Sequence, residues 1–307
     1  MRLPLISAFV AALALPDPGA VRAIAQQGSV YRSGIDLVNM GVTVTDRRGQ
    51  LVTDLARNDF VIYEDGVRQE ILHFAAGNPS SDAPDLHLGI LLDVSRSMVD
   101  ELSFTRTASI RFLSQLPDAV DITVVDFDTE VRVARFGQLD FPRVVERIRQ
   151  QRVRGSTALY DAIGLYLDSA FGQTGRKVML VYTDGSDTRS ALRWSELVDL
   201  LQASDVTVYA IGAFRRGQHV AADRTLQQVA SLTGGRAFFP SSLASLDAIY
   251  EQVLAEMRAQ YLLGYLSTNT SFDGSWRKVE IQIEREAGPL RLRSRKGYYA
   301  LYKDAAH

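Results

Sequence analysis

Asp93, Ser95 and Ser97 set three hard oxygen side chains at alternate positions. They close an apolar run, residues 88–92, and an apolar-periodic helix is expected from about Met98. A short apolar run ending in a charged turn reads as a strand buried on both faces of a parallel sheet. Open α/β sheets bind ligands beyond the carboxyl ends of their strands, in the crevice at the switch point, which is where these oxygens would stand. Two distant stretches extend the set. Gly155-Ser156-Thr157 opens a helix-like segment with Leu159, Ile163, Tyr166, Leu167 and Ala170 on one face, which puts the Thr157 hydroxyl at a helix N-terminus. Residues 178–183 form a second buried-strand run that ends in Asp184-Gly185. If the two strands are neighbours, Asp184 lies beside Asp93. Two carboxylates and three hydroxyls, with positions left open for water, suit a small hard divalent cation. Mg²⁺ takes oxygen ligands in near-octahedral geometry at about 2.0–2.1 Å and keeps several waters.

This constellation resembles the von Willebrand factor type A domain and its metal-ion-dependent adhesion site. In that family a DxSxS motif, a Thr from a second loop and an Asp from a third bind Mg²⁺ or Mn²⁺. The matching positions are Asp93, Ser95, Ser97, Thr157 and Asp184, so all five are filled. Ser and Asp often only cap helices and turns, but capping alone does not call for all five together. The resemblance implies direct ligation by Ser95 and Ser97, and a Thr157 that engages most closely in the ligand-bound state. Arg96 departs from the pattern, since many members carry Gly there. It removes no coordinating oxygen and adds a fixed positive charge at the rim.

Strand and helix patterns alternate through residues 84–258, which implies a doubly wound, mainly parallel sheet with helices on both faces. Residues 121–127 and 131–136 read as a hairpin supplying one antiparallel edge strand. Helical stripes follow at 98–116, 141–152, 192–203, 223–232 (opened by a capping Asp223) and 246–257, with strands at 206–213 and 236–240. The flanks are different. In residues 26–83, Val42 and Val44 alternate with Thr43 and Thr45, and Asp65-Gly66 signals a hairpin between residues 60–63 and a return strand at 67–74. In residues 259–307, Val279, Ile281 and Ile283 alternate with charged and polar residues, as do Leu290 and Leu292. Each flank is too small to bury a core alone without disulfides. The expectation is an α/β domain inserted between β segments that pair into one small antiparallel sandwich. That arrangement is similar to the hybrid domain around the type A domain of integrin β subunits. The phrases Asp59-Phe-Val-Ile-Tyr-Glu-Asp-Gly66 and Lys296-Gly-Tyr-Tyr299 also resemble an exported bacterial VWFA-related family.

The chain has 307 residues, is 46% hydrophobic, carries a formal net charge of −2 and contains no cysteine. The near-neutral balance argues against nucleic acid as partner. Thiolate metal sites, disulfides and a cysteine nucleophile are excluded. Residues 1–25 read as a secretory signal peptide: Met1-Arg2, an apolar core at 3–15, and Ala23-Ile24-Ala25 as a small-x-small cleavage site. The apolar core is too short to span a bilayer, and no later stretch is long enough. The expected mature protein is therefore exported, periplasmic or extracellular, with no transmembrane segment.

Other candidates are weaker. Asp187 and Thr188 read as turn residues that could line the metal rim. Asp126 and Asp128 read as turn carboxylates. The Arg291/Arg293/Arg295/Lys296 stripe reads as the solvated face of a strand, with polyanion binding as the alternative. The four histidines have no mutual metal spacing, and no GxSxG elbow or HExxH motif occurs. The resulting expectation is a non-enzymatic protein-binding module. A divalent ion (Mg²⁺, Mn²⁺ or Ca²⁺) engages an Asp or Glu side chain of a protein partner. A structural subunit of an envelope complex with a purely structural metal is one alternative. A metal-assisted hydrolase is another, but no residue stands out as its general base.

Overall fold

The computed structural model describes residues 37–76, 84–116, 119–213, 220–285, 288–300 and 302; the expected leader, residues 1–25, lies outside them. In chain order the elements begin with β1 (Leu37–Thr45), β2 (Phe60–Glu64), β3 (Val67–Gln69) and β4 (Ile71–Ala75). The α/β body comprises β5 (Leu86–Asp93), α1 (Leu102–Ser114), β6 (Ala119–Phe127), β7 (Val131–Gly137), α2 (Phe141–Arg149) and α3 (Leu159–Ala170). It continues through β8 (Arg176–Thr183), α4 (Trp194–Ala203), β9 (Thr207–Gly212), α5 (Val220–Leu232), β10 (Arg236–Phe238) and α6 (Leu243–Ala259). The chain closes with β11 (Tyr261–Leu266), β12 (Trp276–Ile283), β13 (Arg291–Arg293) and β14 (Gly297–Tyr299).

The body is a six-stranded sheet in the order β10-β9-β8-β5-β6-β7, parallel throughout except for β7, which pairs antiparallel on the β6 edge. Every residue of β5 is buried, as a central strand covered on both faces requires. Its alternate side chains serve two cores. Leu88, Ile90 and Leu92 pack toward α1, α2 and α6, while Leu91 packs toward α3, α4 and α5. Gly89 faces the second core, and a Cβ there would meet the Tyr166 ring at 2.1 Å. The missing side chain therefore lets α3 lie close on the sheet, with Tyr166 donating its hydroxyl to Val178 O at 3.1 Å. Because β5 is flanked by β6 on one side and β8 on the other, the strand order reverses at β5 and opens a crevice at its carboxyl end.

The flanks build two further four-stranded antiparallel sheets, β13-β1-β11-β4 and β14-β12-β2-β3. N-terminal strands pair with C-terminal ones: Met40 stands opposite Leu263, and Ile62 opposite Ile281. The Asp65-Gly66 turn has both residues at positive φ (47° and 83°), the conformation a two-residue hairpin needs. One core joins both sheets, with Met40, Val42, Tyr261 and Leu263 from the first and Phe60, Ile62 and Val279 from the second. Buried Glu64 lies within this core. It accepts hydrogen bonds from the Tyr265 and Tyr298 hydroxyls at 2.8 and 2.9 Å and from Ser267 at 2.5 Å.

Four local expectations change. The helix expected from Met98 starts at Leu102, because residues 96–98 form a 3-10 turn; Met98 is still buried. The return strand expected at 67–74 breaks at Glu70 into β3 and β4, which join different sheets. Asp223 lies in the first turn of α5 and does not cap it. The arginine stripe is not one solvated face. Arg291 and Lys296 are exposed, but Arg293 bonds to Glu256 at 2.5 Å and to Gly235 O at 3.1 Å. Arg295 reaches Ser204 O and Asn39 O at 3.2 and 2.7 Å. These two side chains tie the sandwich strands to the α/β body.

Candidate metal centre

Asp93 ends β5 with its side chain fully buried. Its Oδ1 accepts the Ser95 N–H at 2.9 Å, and its Oδ2 accepts the Thr183 hydroxyl at 2.6 Å. Burial pushes the Asp93 carboxyl up to about 6 against those hydrogen bonds, and the nearby Asp184 carboxylate pushes the same way. Among the described residues no cationic side chain offsets it. The 3-10 turn that follows folds the motif back on itself and brings Ser95 Oγ and Ser97 Oγ to 2.9 Å.

Parallel pairing brings the second carboxylate close. Leu92 of β5 stands opposite Tyr182 of β8, so the two strands finish side by side. Thr183 then meets Asp93, and Asp184 follows in the loop, half-buried, with its Oδ1 accepting the Ser186 N–H at 2.9 Å.

The Thr157 loop is stitched to both neighbours by backbone hydrogen bonds. Arg154 N–H donates to Val94 O at 2.8 Å, and Arg96 N–H to Gly155 O at 3.3 Å. On the other side Thr157 O accepts from the Thr188 and Arg189 N–H groups at 2.9 and 3.0 Å. Thr157 N–H donates to Thr188 Oγ1 at 3.0 Å. Gly155 must be glycine for this path. Its φ is +66°, and a Cβ would stand 2.5 Å from Thr129 Oγ1, the atom that accepts the Ser156 N–H. The loops carrying Asp93, Ser95, Ser97, Thr157 and Asp184 therefore converge at one end of the sheet.

One supporting residue, Thr183, escaped the sequence reading. Thr183 is a hydroxyl directly before the strand-end carboxylate, a local signal that was present and unused. Asp187 and Thr188 brace the loops: Asp187 Oδ1 accepts from Tyr160 N–H at 3.2 Å and from Ser190 Oγ at 2.5 Å. Asp126 lies within β6 and Asp128 in the turn that follows it, and both are buried. Asp126 accepts from Arg132, Arg147 and Gln151. Burial opposes ionisation of Asp128, but Arg132, the Glu130 N–H and Arg154 outweigh it and hold its carboxyl below the usual range.

The donor set fits a hard cation. It is all oxygen, two carboxylates with three hydroxyls, and among the described residues no cationic side chain offsets the buried Asp93 charge. Among the described residues no cluster of three or more His, Cys, Asp or Glu side chains forms. An ion at this site would therefore depend on the hydroxyls as well as the carboxylates.

A doubly wound α/β domain with an oxygen-lined crevice at its switch point is the class that fold and site define. The von Willebrand factor type A domain model matches residues 87–252, and the chain belongs to that family. No curated protein matches the chain. Among solved structures it is similar to the von Willebrand factor type A protein from Catenulispora acidiphila (14% identity, 80% of this chain and 74% of that one, TM-score 0.47). It is also similar to the PilB minor pilin from Streptococcus sanguinis (13% identity, 59% and 63%, TM-score 0.49). A third is the vWF domain of the type V pili tip protein Mfa5 from Porphyromonas gingivalis (13% identity, 58% and 97%, TM-score 0.48). The chain thus spans under two thirds of PilB's length.

Proposed function

We propose that the protein is an exported, non-enzymatic binding module whose partner is held through a divalent cation, Mg²⁺ or Mn²⁺, at the β5/β8 crevice. The observation that carries the reading is Asp93. It is a wholly buried carboxylate without a cationic partner among the described residues, beside a second carboxylate and facing two paired hydroxyls. Such a group is costly unless a positive charge compensates it. Asp93, Ser95, Ser97, Thr157 and Asp184 would hold the ion. Bound there, it supplies an open coordination position for a carboxylate from a partner's Asp or Glu. The chain's own residues do the rest: Thr183 and Ser95 N–H orient Asp93, while Thr188 and Arg189 N–H position the Thr157 loop.

Affinity capture from envelope extracts tests the function. Wild-type protein with Mg²⁺ is expected to retain a partner that is lost in EDTA and lost with Asp93→Ala. Capture unchanged by chelator would sink the metal-dependent role.

Export rests on residues 1–25, with their apolar core and Ala23-Ile24-Ala25. Among the described residues no helix is long and apolar enough to cross a membrane. N-terminal sequencing of the exported protein is expected to begin near Gln26, and a mature chain that still starts at Met1 would contradict this.

A further inference from the structure

Three arginines surround the Thr157 loop, each fixed by its own backbone. Arg96 comes from the DxSxS turn, Arg154 from the loop before α3, and Arg189 from the loop after Asp184. Their N–H groups donate to Gly155 O, Val94 O and Thr157 O respectively, at 3.3, 2.8 and 3.0 Å. Each loop that contributes an oxygen to the candidate metal centre thus contributes one arginine to its rim.

All three side chains are exposed. The Arg154 Nε lies 3.0 Å from Asp128 Oδ2, with the side chain 55% exposed. Among the described residues the Arg96 and Arg189 side chains form no ion pair or hydrogen bond. Asp187 of the same loop cluster is already engaged by Tyr160 N–H and Ser190 Oγ. Asp128 is engaged by Arg132 as well as Arg154. The Arg96 and Arg189 guanidinium groups therefore stand without a carboxylate partner among the described residues, and guanidinium groups match carboxylates bidentately.

We infer that the partner presents an acidic segment: one carboxylate for the ion and further carboxylates flanking it for Arg96, Arg189 and Arg154. The central contact rests on the metal-dependent reading above, whereas the flanking contacts do not. A lone Asp in a neutral loop would leave the rim without partners.

The probes are hexaglutamate and acetyl-Gly-Asp-Gly-amide, titrated by fluorescence anisotropy into the Mg²⁺-loaded full chain. An exposed ion pair is worth a factor of about 1.5 to 5, so several together should favour hexaglutamate about tenfold. Arg96→Glu/Arg189→Glu is expected to abolish that margin, while Arg96→Lys/Arg189→Lys retains most of it. Mg²⁺ uptake, followed by calorimetry, should be retained in both. Arg47→Glu/Arg48→Glu, exposed on the turn after β1, makes the same change in net charge and should leave the margin intact. Equal binding of the two peptides by wild type would overturn the inference, as would full hexaglutamate affinity in Arg96→Glu/Arg189→Glu. Repeating the titrations in EDTA separates the two readings. Peptide binding indifferent to chelator defeats the metal role, and the charge-reversal comparison still decides the rim.

Discussion

Asp93→Asn is expected to make the metal-free protein more stable at neutral pH while abolishing its response to Mg²⁺. The carboxyl is held at about 6 in the fold, chiefly by burial. The folded state therefore binds this proton more tightly than the unfolded chain, whose Asp titrates near 3.9. Stability from this group is fully present below the unfolded value, and it falls as pH rises until the loss is complete above about 6. The difference between the folded and unfolded values corresponds to about 3 kcal/mol. Asparagine removes the charge and keeps an oxygen to accept the Ser95 N–H. In wild type, an ion present at a hundredfold excess over its Kd contributes about 2.7 kcal/mol, a rise of about 5 °C in Tm for a chain of this size. Thermal melts of both proteins in EDTA and in excess Mg²⁺ decide the matter. The wild type should gain with Mg²⁺ and the variant should not. A variant that melts lower in EDTA and still rises with Mg²⁺ would refute Asp93 as the centre of the site.

Deleting residues 267–307 is expected to unfold the sandwich and leave the six-stranded sheet intact. The deletion takes away β12, the partner of β2, and β13, the partner of β1. It also removes Ser267 and Tyr298, leaving buried Glu64 with only the Tyr265 hydroxyl of its three donors. A buried carboxylate stripped of partners is strongly destabilising. The two cores of the α/β body draw no residue from β1–β4 or β11–β14. Glu256 loses Arg293 but keeps Arg236 at 3.2 Å. Hydrogen exchange should therefore show full loss of protection in β1–β4, with β5, β8 and β9 still protected. Protection retained in β2, or collapse of the whole chain, would show that the two parts do not divide in this way.

Much of the architecture was legible because it is encoded locally. The β5 run, the one-sided stripe of α3 and the Asp65-Gly66 turn are each contained in a few consecutive residues whose periodicity or backbone preference determines the element. The same holds for Asp93-x-Ser95-x-Ser97, where adjacency in sequence already guarantees adjacency in space. Long-range partners are a different matter. Nothing in Tyr261–Leu266 announces that β11 sits between β1 and β4, because an apolar hexapeptide does not name its neighbours. Arg291 and Arg293 alternate with Leu290 and Leu292, and Arg295 continues the same spacing, as solvated side chains do. Only the packing of β13 and its continuation against the α/β body turns them toward Glu256, Ser204 and Asn39. Arg96, Arg154 and the Thr183–Arg189 stretch belong to three separate parts of the sequence. What unites them is the parallel pairing of β5 with β8 and the backbone hydrogen bonds that sew three loops together. Residue types and spacing thus determined which side chains have suitable chemistry, and the tertiary structure decided which of them share one site, because hydrogen-bond registry and core packing act across distances that local periodicity does not encode.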